Sequence, residues 1–89
     1  MNKALTQFLL APKPSWCIPT DVAVLAVLAA GQDKPYPGHS VVSARSGLSA
    51  HDVKSLMRAL KRLEAAGWIE KKNDHYTVVF DKLPKGESQ

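Results

Sequence analysis

His51, Lys54, Ser55 and Arg58 stand at the i, i+3, i+4, i+7 spacing that puts four side chains on one face of a helix. Their shared chemistry is hydrogen-bond donation to electronegative edges and to anions. Arg58 carries a planar fork able to bond bidentately to a guanine edge or a phosphate, so it ranks first; Lys54, a compact point charge, ranks second. Asp52 stands beside them and would repel phosphate. Three roles are open to it: accepting from a cytosine amino group, pairing with a base-contacting neighbour, or marking a face that does not bind nucleic acid. Lys61 and Arg62 continue the cationic run, with Arg62 expected to cover apolar surface while Glu64 or Asp52 answers its charge. Ser43, Arg45, Ser46 and Ser49 precede the face and could hold a phosphate backbone, although helix capping alone accounts for Ser49. Lys71, Lys72, Asn73 and His75 follow it in a stretch expected to form a hairpin.

The chain has 89 residues, with 12 Lys and Arg against 8 Asp and Glu, for a net charge of +4. Residues 41–72 hold seven of those cations and three of the acids, which is the whole imbalance. A concentrated cationic stretch is the footprint expected of a polyanion partner, because neutralising phosphates releases condensed counterions. The competing reading is an ordinary solvated surface, for which this net charge is unexceptional.

Other chemistries find little support. Ser49-Ala50-His51-Asp52 contains the residue types of a catalytic triad, but neighbours within one helical turn point in different directions and cannot build the relay. No phosphate-cradling glycine loop is present, so an enzyme is not expected. Cys17 has no partner for an internal disulfide, and Cys17, His39, His51 and His75 are scattered singly rather than at ligand spacing, so neither metal nor cofactor is expected. The longest apolar run, Val22 to Ala30, falls far short of the roughly 20 residues that span a bilayer. Met1 to Leu10 lacks the order of a secretory signal, which points to the cytoplasm.

Something must position the basic face. Leu5, Phe8, Leu9 and Leu10, followed by Pro12, Pro14 and Pro19, read as an apolar, proline-rich arm over 1–19, which packs on the body with Trp16 as anchor or reaches a second subunit. Thr20 is a good N-cap, and Val22 to Ala30 runs unbroken to Gly31; apolar nearly all round, that helix belongs at the centre of the domain. GQDKPYPG at 31–38 reads as a loop, with Tyr36 exposed and available to a partner. A short helix from His39 or Ser40 to about Ser46 leads through a Gly47–Leu48 turn to a long helix capped by Ser49 and ending near Ala66. Val53, Leu56, Met57, Leu60 and Leu63 form its apolar stripe. Trp68–Ile69, an Asn73–Asp74 turn and Tyr76 to Phe80 predict a closing hairpin, with Trp68 and Phe80 filling the core beneath it. Residues 20–82 would then be the domain and 83–89 a fraying tail. The fold class expected is mainly α with a C-terminal β-hairpin.

The stretch SVVSARSGLSAHDVKSLMRALKRLEAAGWIEKK over 40–72 resembles the winged helix-turn-helix domains of bacterial transcription regulators and of plasmid and phage replication proteins. Ser46-Gly47-Leu48-Ser49, then Leu60, Leu63 and Glu64-Ala65-Ala66-Gly67-Trp68-Ile69, carry the likeness, which covers about residues 18–80. It implies that the long helix enters the major groove of double-stranded DNA with the hairpin as a wing. The implied roles are transcriptional regulation of a repressor type or replication control, at the nucleoid or on a plasmid. Many relatives carry more Arg and Thr where Ala50, His51 and Asp52 stand. A homodimer through the arm is expected, because one small module buries little DNA surface. The alternative is a protein-interaction module whose basic face meets an acidic partner.

Overall fold

The computed structural model describes residues 3–32, 34–73 and 75–85. Its elements run α1 (Lys3–Leu10), α2 (Pro19–Ala30), α3 (His39–Arg45), α4 (Val53–Ala65), β1 (Ile69–Lys72) and β2 (His75–Val78), followed by a short 3-10 helix at Phe80–Lys82. The chain is mainly helical with a C-terminal two-stranded antiparallel hairpin, in agreement with the expected class. Among the described residues, no helix is long and apolar enough to cross a membrane.

α2 is the hub, in contact with α1, α3, α4 and β2. Its sequence has no polar stripe, and Val24, Leu25 and Leu28 are buried at the centre of the core. The helix starts earlier than a Thr20 cap would have it. Ile18 is the N-cap and Pro19 takes the first position, where a missing N–H would have had no helical partner anyway. Asp21 then reaches back to accept from the Ile18 N–H at 3.3 Å.

Asp21 is fully buried, and a carboxylate there is costly unless a cation and hydrogen bonds come to it. Arg62 of α4 does so: its Nε lies 2.9 Å from Oδ2 and 3.1 Å from Oδ1, and its Nη2 lies 2.7 Å from Oδ1. The expected partners, Glu64 or Asp52, are therefore replaced by a residue from the first turn of α2, a long-range partner that local spacing could not reveal. The hydrogen bond to Asp21 holds the Arg62 pKa above its ordinary value.

α4 buries Leu56, Ala59, Leu60 and Leu63. Met57, counted in the expected stripe, is instead 36% exposed, because one residue beyond Leu56 is a rotation of about 100° off the buried row. α3 and α4 end in the same way. After α3, the Leu48 N–H bonds the Ser43 carbonyl at 2.9 Å and the Gly47 N–H bonds that of Ala44 at 3.2 Å; after α4, Trp68 bonds Leu63 and Gly67 bonds Glu64, both at 3.0 Å. This closure needs a left-handed residue just past the helix, and Gly47 (φ 89°) and Gly67 (φ 81°) supply it.

Both ends of the described residues belong to the body more than expected. Over its helical part the N-terminal arm is core: Leu5, Phe8 and Ala11 are buried. Phe8 meets Trp68 edge to face at 5.2 Å, and Trp16 lies 4.8 Å from Trp68, as an anchor would. The second strand stops at Val78 instead of reaching Phe80. Bonds from Lys82 N–H to Val79 and from Leu83 N–H to Phe80 turn the chain into the 3-10 helix, which lies against α1. Leu83, placed in the tail by its sequence, is consequently buried; Pro84 is half-buried and Lys85 exposed, and Gly86 to Gln89 lie outside the described residues. Phe80 is half-buried and packs on the core, and Trp68 is within it.

Arg62→Ala should lower stability by about 3 kcal/mol, the low end for breaking a buried pair because Arg62 is 34% exposed, as read from the urea midpoint. The double change Asp21→Leu with Arg62→Met should cost less than Arg62→Ala alone, because no buried charge is then left unpaired. A double variant that loses as much would assign the effect to the Asp21 bond with the Ile18 N–H instead.

Candidate nucleic-acid interface

Because Arg62 and the leucines fix which side of α4 faces inward, the opposite side is set as well. It carries Lys54, Arg58 and Lys61, all exposed, at spacings of four and three that stack them along one line of the helix. Among the described residues the ion pairs are Arg62 with Asp21 and an exposed, 4.0 Å pair of Lys72 with Glu70, so none of these three cations is neutralised by a carboxylate. The result is a short row of positive charge on a rigid element, the arrangement that raises the local concentration of a polyanion.

This row differs from the expected face. α4 begins at Val53, not near Ser49, so His51 sits in the preceding turn, exposed but outside the helical spacing. Asp52 is the N-cap, and its Oδ1 accepts from the Ser55 N–H at 3.2 Å. Ser49 closes a tighter turn, accepting from the His51 N–H at 3.1 Å, and is not the cap. A carboxylate at the positive end of a helix gains from both the bond and the dipole, which explains why Asp52 takes that place. Its charge is thereby engaged by the helix, a fourth role beyond the three read from the sequence. The connection between α3 and α4 spans 46–52, longer than the expected Gly47–Leu48 turn. Ser55 is half-buried on the flank.

Four candidates change standing. Ser43 is fully buried with its hydroxyl unpartnered, and the Ser46 hydroxyl is also shut away from water, so neither side chain is presented to a backbone phosphate. What these residues contribute is main chain: the Ser43 carbonyl accepts from Leu48 and also from Ser46 at 3.2 Å, which brings the chain round after α3. Arg62 is committed to Asp21. Ser49 remains exposed but with its hydroxyl used locally. Arg45, in the last turn of α3, is exposed as expected.

In the hairpin, Lys71, Lys72, Asn73 and His75 are all exposed. Lys72 pairs with His75, and Asn73 adopts φ 55°, a left-handed conformation that asparagine tolerates in a tight turn; Asp74, the other residue expected there, lies outside the described residues. Two ties fix this hairpin to the α2–α3 loop. The Val78 N–H donates to Gln32 Oε1 at 3.1 Å, and the Tyr36 N–H donates to His75 Nδ1 at 3.4 Å. Gln32 and Tyr36 are the positioning residues that sequence reasoning missed. The prolines flanking Tyr36 suggested an exposed contact for a partner, whereas the side chain is half-buried, 5.2 Å from the Tyr76 ring, with its hydroxyl 2.7 Å from His39 Nδ1. Lys71 Nζ lies 5.9 Å from the centre of the Tyr76 ring on the facing strand.

Among the described residues, no three of the histidine, cysteine and acidic side chains come together as metal ligands would. Burial pushes the Cys17 thiol pKa up, with Asp21 adding to the shift.

Burial, with the neighbouring Tyr76, pushes the Tyr36 hydroxyl from 10.0 up to about 12. The unfolded chain would release that proton near 10.0 while the folded protein keeps it, so the Tyr36 contribution is whole below that pH and is lost as pH rises toward about 12. Tyrosinate absorbance should therefore show a late transition that disappears in Tyr36→Phe. If the variant titrates like the wild type, the late transition does not belong to Tyr36. Compared with known proteins, the chain matches no family model, no curated protein and no solved structure.

Proposed function

We propose that this chain is a winged helix-turn-helix module that binds double-stranded DNA in a sequence-dependent way, with α4 in the major groove and the β1–β2 hairpin as the wing. Its output is occupancy: repression or regulation at a promoter, or replication control at a plasmid or phage origin. The observation that carries this reading is the exposed row Lys54, Arg58, Lys61, paired with no carboxylate among the described residues, on a helix whose other side is core. A major groove admits one helix, and a reading helix needs an apolar back and a donor-rich front. Arg58, in the middle of the row, has the fork that guanine or phosphate requires. Arg45 at the end of α3 and Lys71, Lys72, Asn73 and His75 in the hairpin are the flanking groups for phosphates, with His51 ahead of the helix.

The competing reading, a module for an acidic protein, drew on Asp52 in the middle of the basic stretch. That carboxylate is held by the Ser55 N–H as a cap, so the start of α4 accounts for an acid at this position without an acidic-partner role. The same proposal includes a homodimer, since paired half-sites multiply the affinity of a small module. Leu5 and Phe8 are taken by the core of their own chain, so an N-terminal pairing surface would have to use the outward Leu9 and Leu10.

Titration of labelled duplex DNA should show affinity falling steeply between about 50 and 200 mM salt. Lys72→Ala should weaken every sequence alike and lower the logarithmic salt slope by about 1. Arg58→Ala should weaken the preferred sequence by about 1 to 3 kcal/mol and relax the preference at one base pair. Equal binding by wild type and Arg58→Ala would remove α4 from the groove.

A further inference from the structure

The two ties between hairpin and loop enclose a hollow of about 370 Å³ between α2, the 31–38 loop, the end of α3 and strand β2. That volume lies within the range of about 300 to 1,000 Å³ usual for small-molecule sites. Its chemistry is divided. The half-buried Val27 with the buried Leu28 and Val42 supplies an apolar wall, and the rings of Tyr36 and Tyr76 supply an aromatic one. Arg45 and Lys34, both exposed, add two cations, and among the described residues no acidic side chain lines the hollow. Arg45 is in neither of the ion pairs found among the described residues. The Gln32–Val78 and Tyr36–His75 bonds fix the two walls relative to each other, which lowers the ordering cost of admitting a ligand.

We propose that this hollow is a binding site for a small organic carboxylate with an apolar ring, the ring lying against Tyr36, Tyr76 and Val27 and the carboxylate meeting Arg45, with Lys34 adding charge. The guanidinium matches a carboxylate in two parallel hydrogen bonds, and the aromatic pair suits a flat body better than a flexible polar one. A neutral analogue of the same shape would keep the ring contacts and lose the anchor. The site lies apart from the Lys54–Arg58–Lys61 row but shares Arg45 and His75 with the groups proposed to flank it, so binding is tested without DNA and does not depend on that row reading DNA.

The test is an amide chemical-shift titration of the whole chain, without DNA, using 2-naphthoate as probe and 2-naphthamide as its neutral counterpart. Naphthoate should give saturable shifts centred on Gln32, Tyr36, Tyr76 and Thr77. Naphthamide and the Arg45→Gln protein with naphthoate should each bind about tenfold more weakly, the loss expected when a solvent-screened pair of charge-assisted hydrogen bonds is removed. Arg45 is exposed, so its replacement leaves the core intact and the spectrum of the free variant reports on that directly. Shifts that do not saturate, that centre elsewhere, or that are the same for the acid, the amide and Arg45→Gln would overturn the proposal.

Discussion

A carboxylate shut away from water at the start of α2 obliges a cation to come to it, and most of the geometry follows from how Arg62 does so. Nε and Nη2 both engage Asp21, and a two-point contact sets direction as well as distance. Arg62 is thereby fixed toward α2, and with it the rotation of α4 about its own axis. In that rotation Leu56, Ala59, Leu60 and Leu63 are buried, and Lys54, Arg58 and Lys61 face outward. The burial of the leucines and the exposure of the cations are one event, not two. An ion pair of this kind adds little net stability compared with a well-packed apolar pair, but breaking it leaves a charge stranded, so it acts more as a device of register than of strength.

Around that axis, local closures determine where the remaining charges stand. The left-handed glycines after α3 and α4 let main-chain bonds finish each helix within three residues, which sets the direction of the α3–α4 connection and the start of β1. Asp52 sets the start of α4 and so decides that His51 lies ahead of the helix and Lys54 lies on it. The hairpin has only two short strands and would be marginal alone, but Gln32 and Tyr36 brace one strand from the α2–α3 loop while Trp68 packs beneath with Phe8 and Trp16. The basic tip of the hairpin therefore has a defined position relative to α4, and the same braces leave the hollow beside them open.

Much of this was legible in the sequence because it rests on local signals. The unbroken apolar α2, the short α3, the leucine row of α4 and the hairpin turn at Asn73 each follow from periodicity or from residues with special backbone preferences. Misplaced features were those in which two local signals competed or the partner was remote. Ser49 and Asp52 are both good caps, and only the helix dipole and the path of the turn decide between them. Phe8 and Leu83 looked peripheral because each finds its contacts far along the chain, at Trp68 for Phe8 and in the shared core for Leu83. Ser43 has the chemistry of a phosphate contact but lies on the inward side of a seven-residue helix, and Arg62 has that chemistry but a buried acid claims it. Residue type announces what a side chain can do; its neighbours in space decide whether it is free to do it.

The proposed reading of duplex DNA by α4 is tested most directly by selection of bound fragments from random duplexes at about 0.15 M salt, since weak ionic sticking is largely screened there. The predicted result is enrichment of a short common sequence, as an inverted repeat if two copies bind together, that is lost when Lys54, Arg58 and Lys61 are replaced by glutamine. Fragments recovered without any common sequence, from protein shown to be folded, would contradict it.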